Sequence, residues 1–276
     1  MAVLLKSIYF VSFALLMVLI NTSVSGETLS NNMLQTKTFD VEETEQLLQV
    51  WSLPNDDQNN GILSLVAVTA RSPIPNFEVI DVRKEGRIFT LLGELKCRSP
   101  VALSNGGFYF EDDAGFPQPL GLVISAGQKK NDFRRRKFGG FAVLNKQRVD
   151  IIPVDSVSAA REAYQAIQSS PILVYRGQND MFSDREVKFN RTAIGITDSG
   201  NVVLLGAFRP RGSAVSLYEF AELIVSLKLH GGPRIEAALA LDGGPSSQII
   251  IPETGDIFGY DGPNYLPNAI CLNVLQ

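Results

Sequence analysis

Asp242 ends an apolar run, Ile235-Glu236-Ala237-Ala238-Leu239-Ala240-Leu241, and is followed by Gly243-Gly244-Pro245-Ser246-Ser247 and a second run, Ile249-Ile250-Ile251. A buried strand that delivers a carboxylate into a glycine turn holds it rigidly at a surface. Gly243 and Gly244 lack a Cβ, so their backbone N–H groups can approach a ligand, and Ser246 adds a hydroxyl. The same letters also fit a plain strand–turn–strand in which the aspartate bonds its own turn. Two further segments share this form. Val101 to Ser104 leads into Asn105-Gly106-Gly107 and then Phe108-Tyr109-Phe110. The Asn105 amide donates and accepts at once, which suits a sugar or a phosphate, although Asn-Gly is also a type I′ hairpin turn. Arg191 opens the run Arg191-Thr192-Ala193-Ile194-Gly195-Ile196, as an anion ligand or as a surface charge. Together these residues offer a carboxylate for proton transfer or nucleophilic attack, a guanidinium for an anion, and an amide for orientation.

Other chemistry is sparse. Glu111-Asp112-Asp113 form a short acidic loop, either solvated or available for general-base work or cation binding. Arg134-Arg135-Arg136-Lys137 reads as a wet loop or as a landing strip for an anionic substrate. His230 is the only histidine and sits at the end of an expected helix, which suits a cap and disfavours serine-protease-type catalysis. With two cysteines and one histidine, a Cys/His metal site is excluded, and neither a metal nor a cofactor is expected. Cys97 and Cys271 both lie in strand-like apolar contexts that fit a disulfide or buried thiols. Asn190-Arg191-Thr192 is formally a glycosylation sequon, and a glycan there would crowd Arg191.

The elements that must position these groups follow from the rest of the chain. Its 276 residues, 45% hydrophobic, can bury a full core. The net charge of −4 argues against a nucleic-acid partner. Residues 1–26 read as an export leader: Lys6, then an apolar stretch from Ile8 to Ile20, then small polar residues suited to cleavage after Ser25 or Gly26. The mature chain is expected to be exported, periplasmic or secreted, with no stable membrane insertion. Residues 27–60 are polar and read as a tether or peripheral wrap, and residues 61–276 as one domain. Strands are expected from Ile62 to Ala70, Phe77 to Val82, Arg87 to Leu92, Leu120 to Ile124 and Ile172 to Tyr175, with hairpins at Gly139 to Val149 and Arg191 to Leu205. Two helices are expected, Asp155 to Gln168 and the one opened by the capping box Ser216-Leu217-Tyr218-Glu219. The expected fold is a single α/β domain, a mixed, largely antiparallel sheet flanked by helices.

In order along the chain, Asn105-Gly106-Gly107-Phe108-Tyr109, Leu120-Gly121-Leu122 with Gly127, Ser170-Pro171-Ile172-Leu173 with Gly177, Arg191-Thr192-Ala193-Ile194-Gly195, the Ser216–Gly231 helix and Leu241-Asp242-Gly243-Gly244-Pro245-Ser246-Ser247 resemble the phosphodiester glycosidase family. The resemblance covers about residues 60–276. Pro245 stands where many members carry a third glycine, which should stiffen the turn.

The resemblance implies a hydrolase that cleaves the glycosidic bond of a sugar-1-phosphodiester, releasing free sugar and a phosphate monoester. Arg191 would clamp the phosphate with help from Gly243, Gly244 and Ser246. Asp242 would act as base or nucleophile, sharing that work with Asp112 or Asp113 if needed, and Asn105 with Gly106 and Gly107 would bind the sugar. Two other classes remain open at this stage. One is a non-catalytic binder of glycan or cell-envelope phosphodiester polymers, and the other a metal-dependent phosphodiesterase cutting the other side of the phosphorus.

Overall fold

The computed structural model describes residues 34–41, 44–53, 61–71, 76–83, 95, 97, 99–146, 148–183, 187–210, 214–262 and 266–273. The expected leader, the loop at 54–57 and the strand at 87–92 lie outside the described residues. In chain order the strands are β1 (Leu34–Val41), β2 (Thr44–Leu53), β3 (Leu63–Arg71), β4 (Phe77–Asp81), β5 (Pro100–Asn105), β6 (Tyr109–Glu111), β7 (Pro117–Pro119), β8 (Val123–Ser125), β9 (Gln128–Asn131), β10 (Gly140–Asn145) and β11 (Arg148–Pro153). A five-residue helix α1 (Val157–Arg161) leads to β12 (Gln165–Ser169), β13 (Ile172–Tyr175), β14 (Gln178–Asn179), β15 (Arg191–Thr197) and β16 (Val202–Phe208). Helix α2 (Leu217–Ser226) precedes β17 (Ile235–Ala240), β18 (Gln248–Ile251), β19 (Asp256–Gly259) and β20 (Asn268–Asn273).

These strands build an eight-stranded sheet in the order β1-β2-β3-β16-β15-β17-β13-β14. Two five-stranded sheets, β11-β10-β12-β8-β9 and β19-β18-β5-β20-β4, and the ribbon β6-β7 complete the described structure. Neighbouring strands run antiparallel throughout, so the expected mixed sheet is corrected. The eight-stranded sheet is buried on both faces. Val66, Val68, Ile194, Leu204 and Leu239 pack toward the other sheets, whereas Leu65, Ala67, Ala193, Leu205 and Ala238 pack with Phe220, Ala221 and Ile224 of α2. Double burial explains why β3, β15 and β16 read as continuous apolar runs rather than alternating ones.

Helix α2 forms as expected. Ser216 Oγ accepts from Glu219 N and the Glu219 carboxylate accepts from Ser216 N, a complete capping box. Gly231 ends the following turn in the left-handed region at φ 75°. The expected helix over Asp155–Gln168 is corrected: only Val157–Arg161 is α-helical, and Gln165–Ser169 is a strand buried between β10 and β8. Pairing on both sides outweighs the alanine content that favours a helix there. A sheet-rich domain with one substantial helix therefore replaces the α/β domain flanked by helices. Much of the expected tether also belongs to the sheet. β1 and β2 pair along their length, and Trp51 is buried with its indole N–H donating to the His230 carbonyl at 3.3 Å.

Candidate functional site

The site forms where strands of two sheets end together. Ala193 of β15 lies opposite Ala240 of β17, which sets Arg191 and Thr192 beside Leu241 and Asp242. The Leu241 N–H donates to the Thr192 carbonyl at 2.9 Å, and the Asp242 N–H to the Gly106 carbonyl at 3.0 Å. The segment from Leu241 to Ser247 then crosses from the eight-stranded sheet into β18, which pairs with β5. Asn105, Arg191 and Asp242, spread over 138 residues of sequence, are thereby brought together.

Asn105 is fully buried. Its Nδ2 donates to the Asp242 carbonyl at 2.9 Å. Its Oδ1 accepts from Thr192 Oγ1 at 2.9 Å, from the Gln248 N–H at 3.1 Å and from Ser104 Oγ at 3.3 Å. These bonds occupy the amide inside the protein, so it latches β5, β15 and β18 to the Asp242 backbone. The Asn-Gly hairpin is not formed, because β5 pairs with β20 and β18 rather than with β6. Gly106 and Gly107 serve by absence of bulk. A Cβ on Gly106 would stand 1.8 Å from Asn268 Oδ1, and one on Gly107 2.8 Å from the Gln168 carbonyl. Asn268 is itself buried and accepts from the Gly107 N–H at 2.8 Å. Sequence reasoning missed Asn268 and Gln168; the only signal for Asn268 was a polar residue opening the apolar stretch Ala269-Ile270-Cys271.

Asp242 is half-buried, and its carboxyl is pushed above the usual carboxylate range by loss of solvent. Hydrogen bonds from the Ser246 hydroxyl and the Gly243 N–H, and the nearby Arg191 charge, oppose that rise. Arg191 is buried, 8% exposed, with Nε donating to the Val215 carbonyl at 3.3 Å and Nη2 to the Val187 carbonyl at 2.7 Å. Its guanidinium lies over the Phe189 ring at 5.2 Å. Nη1 faces the turn, 3.1 Å from where a Gly243 Cβ would be, so glycine is what lets guanidinium and turn touch. Gly244 takes φ 65° and donates its N–H to the Asn190 carbonyl at 2.9 Å, opening a 3-10 turn over Gly244–Ser246 that accommodates Pro245. Ser247 Oγ donates to the same carbonyl at 2.8 Å. The result is a fixed cation beside a proton-seeking carboxylate, ringed by backbone and hydroxyl donors.

Other candidates fall away from this site or into the scaffold. The Asp112 carboxylate accepts from the Phe116 and Ala114 N–H groups and from Gln118 Nε2, which hold its pKa below the usual range. It closes its own loop. His230 precedes β17 while Asp242 follows it, so a strand length of about 20 Å separates them. The sequon is absorbed by the fold: Asn190 Oδ1 accepts from the Arg209 N–H at 2.9 Å, and Thr192 Oγ1 is held by Asn105. Cys97 and Cys271 form a disulfide, resolving the choice between bridge and buried thiols. Among the described residues no group of three or more His, Cys, Asp or Glu is placed to hold a metal. None of their helices is long and apolar enough to cross a membrane.

Residues 98–272 match the model of the phosphodiester glycosidase family, and the chain belongs to that family. The uncharacterized protein YigE of Escherichia coli (strain K12) is 31% identical over 170 residues, covering 57% of this chain. The match spans 61% of that relative's length. Among solved structures, the catalytic domain of zebrafish N-acetylglucosamine-1-phosphodiester alpha-N-acetylglucosaminidase, auto-inhibited by its pro-peptide, shares the fold with a TM-score of 0.62. Its sequence is 15% identical, with 87% of this chain and 88% of that chain covered. A hypothetical protein from Synechocystis is similar at a TM-score of 0.55 and 16% identity, over 86% of this chain and 63% of that one.

Proposed function

We propose that this member of the phosphodiester glycosidase family hydrolyses the bond between a sugar's anomeric carbon and the phosphate that links it to a second group. The observation that carries this reading is the meeting of Asp242 and Arg191 at the Gly243–Ser246 turn, from segments 51 residues apart in sequence. In the proposed reaction, water attacks the anomeric carbon and Asp242 takes its proton. The bond from carbon to phosphate oxygen breaks, and its electron pair leaves with the phosphate monoester. Such a leaving group has a second pKa of about 6 and needs little protonation. An ordinary glycosidase must instead protonate an alcohol with a second carboxyl. One carboxylate and one cation are then enough.

The raised pKa of Asp242 makes it a stronger base, as proton abstraction from water requires. With Nε and Nη2 donating to backbone carbonyls, the Arg191 guanidinium is held in a fixed orientation, from which its charge would act on the phosphate. The Gly243 N–H and the Ser246 hydroxyl, which donate to the Asp242 carboxylate, would hold it in the direction of the water it activates. Asn105 acts in this scheme by positioning the Asp242 backbone and does not touch the sugar. The leader-like first 26 residues support a reading in which the reaction runs outside the cytoplasm, in the periplasm or after secretion.

The test is a screen of sugar-1-phosphodiesters for reducing-end release, repeated with Arg191→Ala and Asp242→Asn. The expected result is turnover that survives chelator and falls by about 100-fold or more in each variant. Full activity in both variants overturns the assigned roles. Saturable binding without turnover by the native protein overturns the enzyme itself.

A further inference from the structure

The loop from Asp132 to Phe138 carries four cations, Arg134, Arg135, Arg136 and Lys137, on a chain whose net charge is −4. Among the described residues none of the four is ion-paired, although Glu111 and Asp113 lie just beyond Phe110. Three rest on aromatic faces. The Arg134 guanidinium lies 5.0 Å from the Phe110 ring centre, that of Arg136 5.3 Å from Phe108, and Lys137 Nζ 4.9 Å from Phe138. A ring under one face of a guanidinium fixes its plane and leaves the N–H edges for an anion.

The loop is pinned by its backbone. Gln168 Oε1 accepts from the Arg134 N–H at 3.2 Å, and Gln168 Nε2 donates to the Arg134 carbonyl. This segment also abuts the site from two sides. Phe108, beneath Arg136, lies two residues from Gly106, whose carbonyl holds the Asp242 N–H, and two residues span at most about 7 Å. At the far end the Phe138 carbonyl accepts from Ile172 N at 3.2 Å, and the adjacent Pro171 carbonyl accepts from Ala240 N at 3.0 Å. The arginine–phenylalanine wall is thus tied to β5 and, through Ile172 and Pro171, to β17, two of the three strands that deliver the site.

We propose that this wall is a second anion subsite, and that the substrate is a chain of phosphodiester-linked units that places a further phosphate on Arg134 and Arg136 while one is cleaved at Asp242. This rests on the glycosidase reading above and narrows it from any sugar-1-phosphodiester to those carrying a second phosphate. A second phosphate would meet the N–H edges that the rings under Arg134 and Arg136 leave open.

Two synthetic substrates test it, a sugar-1-phosphodiester with a methyl aglycone and one whose aglycone ends in a second phosphate. In the native protein kcat/KM is expected to favour the second by about tenfold or more, from one or two charge-assisted contacts. The preference should weaken with salt. Arg134→Ala combined with Arg136→Ala should bring the ratio near one, chiefly through KM, with an unchanged melting temperature because backbone atoms hold the loop. Arg135→Ala, with no ring contact among the described residues, should keep most of the preference. A ratio near one in the native protein, or one preserved in the double variant, overturns the subsite. If neither substrate turns over, the glycosidase reading fails separately. Calorimetry with tripolyphosphate then decides: binding lost in the double variant supports the subsite, and no binding by the native protein overturns it.

Discussion

Replacing Asn105 by alanine separates a latch from a sugar ligand, because the two roles predict opposite signatures. The substitution removes the acceptor of the Gln248 N–H, a buried backbone donor held at 3.1 Å. Leaving such a group unpaired costs about 1–3 kcal/mol. The Asp242 carbonyl loses its 2.9 Å bond from Nδ2 but keeps Thr192 Oγ1 at 3.2 Å, and Thr192 keeps that carbonyl as its acceptor, so these groups add about 1 kcal/mol. The total is about 2–4 kcal/mol. At about 2–4 °C per kcal/mol for a domain of this size, the melting temperature should fall by about 4–16 °C in calorimetry. Asn105→Asp should be worse, since it sets a carboxylate oxygen against the Asp242 carbonyl in a buried place. In both variants kcat should fall with little change in KM, because the carboxylate is displaced while the sugar loses no contact. A melting temperature within about 1 °C of native for Asn105→Ala, together with a raised KM, would refute the latch and return Asn105 to the sugar.

Asp242→Asn should stabilise the fold at neutral pH while removing activity, since the carboxyl's pKa is raised by burial and its ionised form opposes folding. The neutral carboxyl's contribution to stability is fully present below the unfolded value and lost as pH rises through the raised folded one. The variant's advantage in urea titrations should therefore appear as pH rises and vanish in acid. The native acid limb of kcat/KM should also lie above the ordinary carboxylate range. Cys271→Ser opens a link across 174 residues and should cost about 2–5 kcal/mol in non-reducing denaturation, the span expected for a native bridge.

Local signals were legible where local chemistry decides structure. Ser216 and Glu219 announced their helix because a capping box is complete within four residues, and the 191–205 hairpin because Gly200 in its turn takes the left-handed φ of 84°. Gln165–Ser169 was misread because its partners, β10 and β8, decide its state from elsewhere in the chain. The Asn105-Gly106 pair misled for a related reason. Neither Gly106 nor Gly107 uses a positive φ; each is needed because Asn268 and Gln168 stand where a Cβ would be. The types of the site residues were readable, and the resemblance supplied their company. What Asn105 does with its amide was not readable, because its decisive partners lie 87, 137 and 143 residues away.

In the proposed reaction cleavage falls between the anomeric carbon and oxygen, with Asp242 activating the water. Turnover in ¹⁸O-enriched water, with both products weighed by mass spectrometry, tests it most directly. The label should appear in the free sugar and not in the phosphate monoester; label in the phosphate would mean attack at phosphorus and would refute the proposed mechanism.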